Sequence, residues 1–157
     1  MYSKVLVPLD GSELAECSLN HVKTLARYRA IGEVILLQAV AIDLPLREIN
    51  GEDYLIGQGF DYNAFKEALM QKSRKYLAGV QARLSSEEIN VITESIEANS
   101  PAQAIADYAV KHGVDMIVIA THGYTGIKNV LLGSVAFKVL HESHVPVLLI
   151  RPEICHP

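Results

Sequence analysis

The chain has 157 residues, with 14 basic and 18 acidic side chains, 50% hydrophobic residues and 6% aromatic residues. Its formal charge of -4 argues against a general binder of nucleic acid, which needs a basic face for the phosphates. No apolar run approaches the roughly 20 residues of a membrane-spanning helix, and the largely aliphatic composition is typical of covered parallel strands.

Strands and helices alternate along the chain. Strands are predicted at Lys4–Leu9, Glu33–Ala41, Ile89–Ala98, Asp115–Ala120 and Val145–Arg151, and helices at Glu13–Arg29, Tyr62–Leu84, Pro101–Gly113 and Gly133–Glu142. This order predicts an α/β fold in which an open five-stranded parallel sheet lies between two helical layers, a three-layer sandwich. We expect one domain over residues 1–152, followed by a tail at 153–157.

Two local features of this order are specific enough to test. Ser100, Pro101 and Gln103 form a helix start, in which Ser100 caps, Pro101 takes the first helical position and Gln103 completes a reciprocal capping pair. Gly113 is expected to end the same helix in the left-handed conformation. The stretch from Ile42 to Asp61 is a long connection with two open interpretations, a functional loop or a disordered insertion.

The two cysteines, Cys17 and Cys155, lie near opposite ends of the chain. The N-terminal segment places Pro8 and Asp10 directly after its short apolar run and has no small-residue cleavage pattern. We therefore expect reduced thiols and a cytoplasmic location.

Candidate ligand-binding residues follow the first and fourth strands. Parallel sheets of this kind bind ligands beyond the carboxyl ends of their strands, where the strand order reverses. Asp10 follows the first strand, and the segment from Ala120 through Gly123 to Gly133 and Ser134 follows the fourth. Gly133 and Ser134 stand where a helix begins, and its free N–H groups suit a phosphate.

These segments resemble the universal stress protein family. The resemblance lies in KVLVPLDGSELAECSL near the N-terminus and in the stretch from Ile119 to Arg151, and with the element order it covers nearly the whole chain. Nucleotide-binding members carry Gly, two residues, Gly, nine residues, and then Gly followed by Ser or Thr. This chain keeps that spacing with Ala120, Gly123, Gly133 and Ser134, so alanine replaces the first glycine.

The resemblance implies a Rossmann-like fold of the adenine-nucleotide alpha hydrolase type and a site for ATP or AMP. Asp10 would accept hydrogen bonds from the ribose hydroxyls. The adenine would be bordered by Pro8 and Leu9, with an apolar wall from Ile119 and either Ala39 or Val40. The phosphate path would be lined by Gly123, Gly133, Ser134, Val135 and Ala136, with His122 nearby and Ala120 at the first motif position.

Several of these residues also fit a protein that binds no nucleotide. Asp10 serves equally well as a cap for the helix that begins near Ser12, and Gly123 as part of a tight turn. Ala120 adds a methyl group and disfavours a positive φ, and Ala136 lacks a hydroxyl that some members have. These two departures favour a nucleotide-free protein of the same fold.

The last strand, Val145–Arg151, is apolar and is predicted at the sheet edge. A bare edge of this kind is an aggregation hazard unless it is paired or covered. The resemblance implies a homodimer in which this edge meets its symmetry mate, and the alternative is cover by the tail around Cys155.

Three functional hypotheses follow. The first is a homodimeric ATP- or AMP-binding regulatory protein of the stress response, without strong catalytic activity. The second is a nucleotide-free dimeric interaction protein. The third is a weak ATPase using Mg²⁺, although no nucleophile elbow, Walker lysine or kinase motif occurs. His141 and His144 are interpreted as surface histidines rather than metal ligands.

Overall fold

A computed structural model describes residues 1–43, 46–49, 52–55, 59–84, 89–121 and 133–151, with 46–49 and 52–55 as secondary structure alone. The strands are β1 (Tyr2–Pro8), β2 (Ile31–Val40), β3 (Leu46–Ile49), β4 (Glu52–Leu55), β5 (Asn90–Glu97), β6 (Met116–Ala120) and β7 (Val147–Ile150). The helices are α1 (Glu13–Glu16), α2 (Ser18–Arg27), α3 (Tyr62–Leu84), α4 (Pro101–Lys111) and α5 (Ser134–Glu142).

Five of the strands form one parallel sheet in the order β5-β2-β1-β6-β7. The chain builds outward from β1 through β2 to β5, then returns to the other side of β1 for β6 and β7. The order therefore reverses between β1 and β6. This is the α/β fold that the alternation of strands and helices predicts, and the prediction is confirmed.

Side chains that alternate along each strand fill two separate cores. Val5, Val7 and Val34 belong to the core under α2 and α3, while Leu6 and Ile35 belong to the core under α4 and α5. Both faces of the central strands are covered, which explains why those strands are apolar throughout rather than at alternate positions.

The single helix predicted over Glu13–Arg29 is two helices that meet at Cys17. The Cys17 N–H bonds to the carbonyl of Leu14, three residues back, at 3.2 Å. The hydroxyl of the fully buried Ser18 donates to the carbonyl of Ala15 at 2.7 Å. The tighter turn and the side-chain bond interrupt the regular helical pattern, so α1 is a separate four-residue helix.

The start of α4 differs from the predicted capping pair. Ser100 takes the N-cap position and Pro101 the first helical turn, but the Ser100 side chain makes no capping hydrogen bond. The Gln103 amide instead donates to Asp107 at 2.8 Å, one turn farther along the exposed face. The prediction of a reciprocal pair was wrong, whereas Gly113 does adopt the left-handed conformation, at φ +62°.

The segment between β2 and α3 contains secondary structure that the sequence did not predict. β3 and β4 pair antiparallel, with Leu46 opposite Leu55 and Ile49 opposite Glu52. This ribbon excludes a wholly irregular insertion. In the part of the chain described, no helix combines the length and the apolarity needed to span a bilayer.

Candidate functional site

A cleft opens at the carboxyl ends of β1, β2 and β6, where the strand order reverses. About 670 Å³ of empty space lies within its outline, a figure that includes open solvent at the mouth. Among the described residues it is lined by Pro8, Leu9, Asp10, Leu14, Ala15, Ala39, Pro101, Ile105, Ile119, Ala120, Thr121, Val135 and Ala136. The fold thus places an apolar cleft at the position expected for a ligand in an open parallel sheet.

The turn after β1 presents a carboxylate at this cleft. Asp10 is exposed, and its Oδ1 accepts hydrogen bonds from the Ser12 N–H at 2.9 Å and the Ser12 hydroxyl at 2.6 Å. Ser12 in turn caps α1, since its Oγ accepts from the Ala15 N–H at 3.1 Å. Gly11, between them, has φ +88°, a conformation that favours glycine. The cap of α1 is therefore Ser12, and Asp10 holds that cap residue instead of capping the helix itself as predicted.

The end of β2 distinguishes between the two residues predicted for the adenine wall. Ala39 lines the cleft. The Val40 carbonyl instead accepts the Ala98 N–H at 2.9 Å and so faces β5. The Leu37 carbonyl accepts the Leu9 N–H at 2.8 Å, so by strand alternation the backbone polar groups of Ala39 face the β1 side. Ala39 stands beyond the last residue of β1, where its backbone can meet a ligand.

The opposite side of the cleft is formed by the end of β6 and the start of α5. Ala120 is the last residue of β6, is 8% exposed and lines the cleft. The Thr121 N–H donates to the Ile150 carbonyl at 2.8 Å, which extends the pairing with β7 by one residue. Gly133 is the N-cap of α5, whose first turn supplies Val135 and Ala136 to the lining. Gly133 has no side chain that could cap the helix, so the first N–H groups of α5 receive no hydrogen bond from an N-cap side chain.

Two helices contribute to the cleft without having been predicted from the sequence. Leu14 and Ala15 come from α1, and Pro101 and Ile105 come from the first turns of α4. The apolar periodicity of α4 marks Ile105 as buried but does not show which end of the helix meets the ligand. That becomes visible only from the crossover between β5 and β6, which starts α4 at the carboxyl edge of the sheet.

The predicted site residues fall into three groups. Eight of them line the cleft, namely Pro8, Leu9, Asp10, Ala39, Ile119, Ala120, Val135 and Ala136. Val40, Gly133 and Ser134 are described but do not line it, although Gly133 and Ser134 adjoin Val135. His122 and Gly123 lie outside the described residues. Predicted residues from three separate segments thus line one cleft, and their contact with a nucleotide stays a prediction.

The described lining of the cleft carries little charge. Asp10 is the one charged side chain among the described lining residues. No group of three or more His, Cys, Asp or Glu side chains comes together as a metal site anywhere in the described ranges. The described lining therefore offers apolar surface, the Asp10 carboxylate, the Thr121 side chain and backbone polar groups.

The sequence model of the universal stress protein family matches residues 1–151. The chain belongs to that family. The universal stress protein MJ0577 of Methanocaldococcus jannaschii is 33% identical over 162 aligned residues, with 96% of each chain covered. A solved structure of MJ0577 has a TM-score of 0.74 at 30% identity and 96% coverage of both chains.

Two more distant universal stress proteins share the fold and were solved with nucleotides. One, in complex with cAMP, has a TM-score of 0.63 at 20% identity and covers 96% of this chain and 98% of its own. The other, from Arabidopsis thaliana with AMP bound, has a TM-score of 0.64 at 13% identity and covers 95% of this chain and 91% of its own. Each of these two proteins thus binds an adenine nucleotide.

Proposed function

We propose that this universal stress protein binds an adenine nucleotide, AMP or ATP, in the cleft at the ends of β1, β2 and β6, and acts as a regulatory module of the stress response. The observation that carries the proposal is the meeting, in one cleft, of the Asp10 turn, the end of β2 and the first turn of α5. Adenine nucleotides in two proteins of the same fold support it.

Each part of a nucleotide has a matching group. The adenine would lie against Ile119 and Ala39. The backbone polar groups of Ala39 face the β1 side and suit the hydrogen-bonding edge of a purine. The carboxylate of Asp10 suits the ribose hydroxyls, because a carboxylate accepts from two adjacent donors. The α-phosphate would meet the first turn of α5, where uncapped N–H groups and the helix dipole favour an anion.

The charge of the cleft bears on how the phosphates are held. The described lining contains Asp10 but no lysine or arginine, and within the described part of the chain the backbone N–H groups at the start of α5 are the groups that suit a phosphate. Magnesium, when ATP is the ligand, would be held mainly by the phosphate oxygens, because a single carboxylate makes a poor metal site by itself. AMP carries one phosphate and therefore less negative charge than ATP, so we expect AMP to bind without Mg²⁺.

The test is calorimetry on protein stripped of any co-purified ligand. AMP, cAMP, and ATP with and without Mg²⁺ are titrated in turn, with GMP and ribose 5-phosphate as controls for the base and for the phosphate alone. We expect binding of the adenine nucleotides and much weaker binding of both controls. Stripped protein that shows neither heat nor a thermal shift with any adenine nucleotide would overturn the proposal.

We further propose a homodimer that joins two β7 edges. The other sheet edge, β5, exposes Ile92 but also Asn90, Glu94 and Glu97, and these polar and charged side chains discourage pairing with another strand. β7 carries only Val147, Leu148, Leu149 and Ile150, and Leu148 is 36% exposed. An apolar edge strand of this kind can pair with a copy of itself about a twofold axis. The cytoplasmic location expected from the sequence belongs to this proposal as well.

A further inference from the structure

α1 forms one side of the cleft but is too short to hold itself in place. It has four residues, two of which, Leu14 and Ala15, line the cleft. A single helical turn is unstable by itself, because fixing the backbone of the first turn costs more free energy than its hydrogen bonding provides. The position of this side of the cleft therefore depends on what anchors α1 to the rest of the fold.

Two side chains of α3 anchor it through Glu16. The Tyr76 hydroxyl donates to Glu16 Oε1 at 3.0 Å, and the Arg83 guanidinium donates to Glu16 Oε2 at 2.8 Å. Both carboxylate oxygens are thus bonded to residues 60 and 67 positions farther along the chain. The Glu16 side chain is only 22% exposed, and the ring of Tyr76 packs against the core under α2 and α3. We call Glu16, Tyr76 and Arg83 the α1 anchor.

Electrostatics keep the tyrosine in its donating form. Burial is the main cause that raises the pKa of Tyr76 well above its ordinary value, and the negative charge of Glu16 and its hydrogen bond add to the effect. The negative charge of Asp10 raises the same pKa further, whereas the positive charge of Arg83 lowers it. A tyrosine is protonated at neutral pH even with an ordinary pKa, and the raised pKa of Tyr76 keeps its hydroxyl a donor to Glu16 in more alkaline solution.

Hydrogen bonds within α1 connect the anchor to the cleft. Ala15 precedes Glu16, and its N–H donates to Ser12 Oγ while its carbonyl accepts the Ser18 hydroxyl. Ser12 is bonded in turn to Asp10. A shift of Glu16 therefore moves Ala15 in the cleft lining and disturbs the turn that orients Asp10.

We propose that Glu16, held by Tyr76 and Arg83, is a positioning residue that sets α1 and the Asp10 turn for nucleotide binding. The inference rests on the proposed function and adds to it a contribution from α3, a helix that supplies no residue to the described cleft lining. The anchor acts through α1 and touches no ligand itself.

The test compares two tyrosine substitutions on the same helix. Tyr76→Phe removes the hydroxyl from the anchor, and Glu16→Gln removes the charge that receives both donors. Tyr62→Phe is the matched control, since its hydroxyl makes a long bond of 3.4 Å to Glu97, away from α1. Affinities are measured by calorimetry for AMP and for 2′,3′-dideoxy-AMP, which lacks the hydroxyls assigned to Asp10.

We expect Tyr76→Phe and Glu16→Gln to weaken AMP binding about fivefold, the effect of one lost hydrogen bond in a positioning network. The loss should be smaller for the dideoxy ligand, and Tyr62→Phe should bind both as the wild type does. A purely structural role would lower the melting temperature without changing the ratio of the two affinities. Wild-type affinities and an unchanged ratio in both anchor variants would overturn the inference.

Hydrogen exchange separates failure of this inference from failure of the proposed function. Faster exchange of the Ala15 and Glu16 amides is expected in Tyr76→Phe but not in Tyr62→Phe, whether or not nucleotide is added. Wild-type protein that binds no AMP would refute the proposed function and the positioning role with it. Binding by the wild type together with unaltered exchange in Tyr76→Phe would refute the anchor alone.

Discussion

Asp10 and Ser12 are joined by two hydrogen bonds through the same carboxylate oxygen. Oδ1 of Asp10 accepts from the backbone N–H of Ser12 at 2.9 Å and from its hydroxyl at 2.6 Å. The pair fixes the direction of the Asp10 side chain at the cleft, so holding the cap residue Ser12 and binding a ligand are compatible roles for Asp10. An oriented acceptor loses less conformational entropy when a ligand binds.

Asp10→Ala should weaken AMP binding at least tenfold, because it removes the charged acceptor proposed for the ribose hydroxyls. Ser12→Ala is its matched control, since it removes the α1 cap and one bond to Asp10 but keeps the carboxylate. It should destabilise the fold by about 1 kcal/mol and affect AMP affinity less than Asp10→Ala does. Calorimetry and thermal unfolding of both variants give the comparison. Equal AMP affinity in Asp10→Ala and the wild type would place the ribose elsewhere.

Ala120→Gly should change AMP affinity by less than about threefold. Ala120 is the final residue of β6 and, among the described non-glycine residues, only Arg29 has a positive φ, so alanine meets no backbone conflict at position 120. Ala120→Val should weaken binding about tenfold or more, because the added methyl groups enter the cleft while valine still suits a strand. Both affinities are measured by titration with AMP. Binding that appears only in Ala120→Gly would instead support the nucleotide-free hypothesis.

Leu149→Pro should convert the proposed dimer to a monomer. The carbonyls of Pro146 and Ile150 bond to β6 at Ile117 and Thr121, so by alternation the backbone N–H of Leu149 faces away from the sheet. Proline removes that edge donor without taking a hydrogen bond from the β6–β7 pairing. Leu149→Ala is the control, since it loses the same packing and keeps the N–H. Sedimentation should show a dimer for the control and a monomer for proline, and two monomers or two dimers would contradict the edge-pairing interface.

Gly113→Ala should destabilise the protein by about 1 kcal/mol. Gly113 has φ +62°, and a Cβ there would meet nothing within 4 Å, so the cost is one of backbone conformation. Gly79 offers the opposite case in the exposed interior of α3, where a Cβ also meets nothing. Gly79→Ala should therefore stabilise by about 0.5–1 kcal/mol. Chemical denaturation of the two variants measures both effects, and a shared sign would contradict a purely conformational origin.

The fold and part of the site were predictable because their signals are local. Strand periodicity and strand–helix alternation predict β1, β2, β5, β6 and β7, since each buried strand must be apolar wherever it lies in the sheet. Asp10 and the start of α5 are recognisable because parallel strands end at one edge. The break at Cys17 was missed because it depends on the hydroxyl of Ser18, and the β3–β4 ribbon because its strands are only four residues long.

By itself, the sequence determined the family, the layered architecture and three of the segments that supply the candidate site. Only the tertiary structure decided that Ala39 rather than Val40 faces the cleft, that α4 contributes Pro101 and Ile105, and that Tyr76 anchors α1 through Glu16. The physical reason is the separation along the chain of the residues that interact. Burial and helix propensity act among neighbours in the chain, whereas strand register and helix packing join residues that are far apart in it, such as Glu16 and Tyr76.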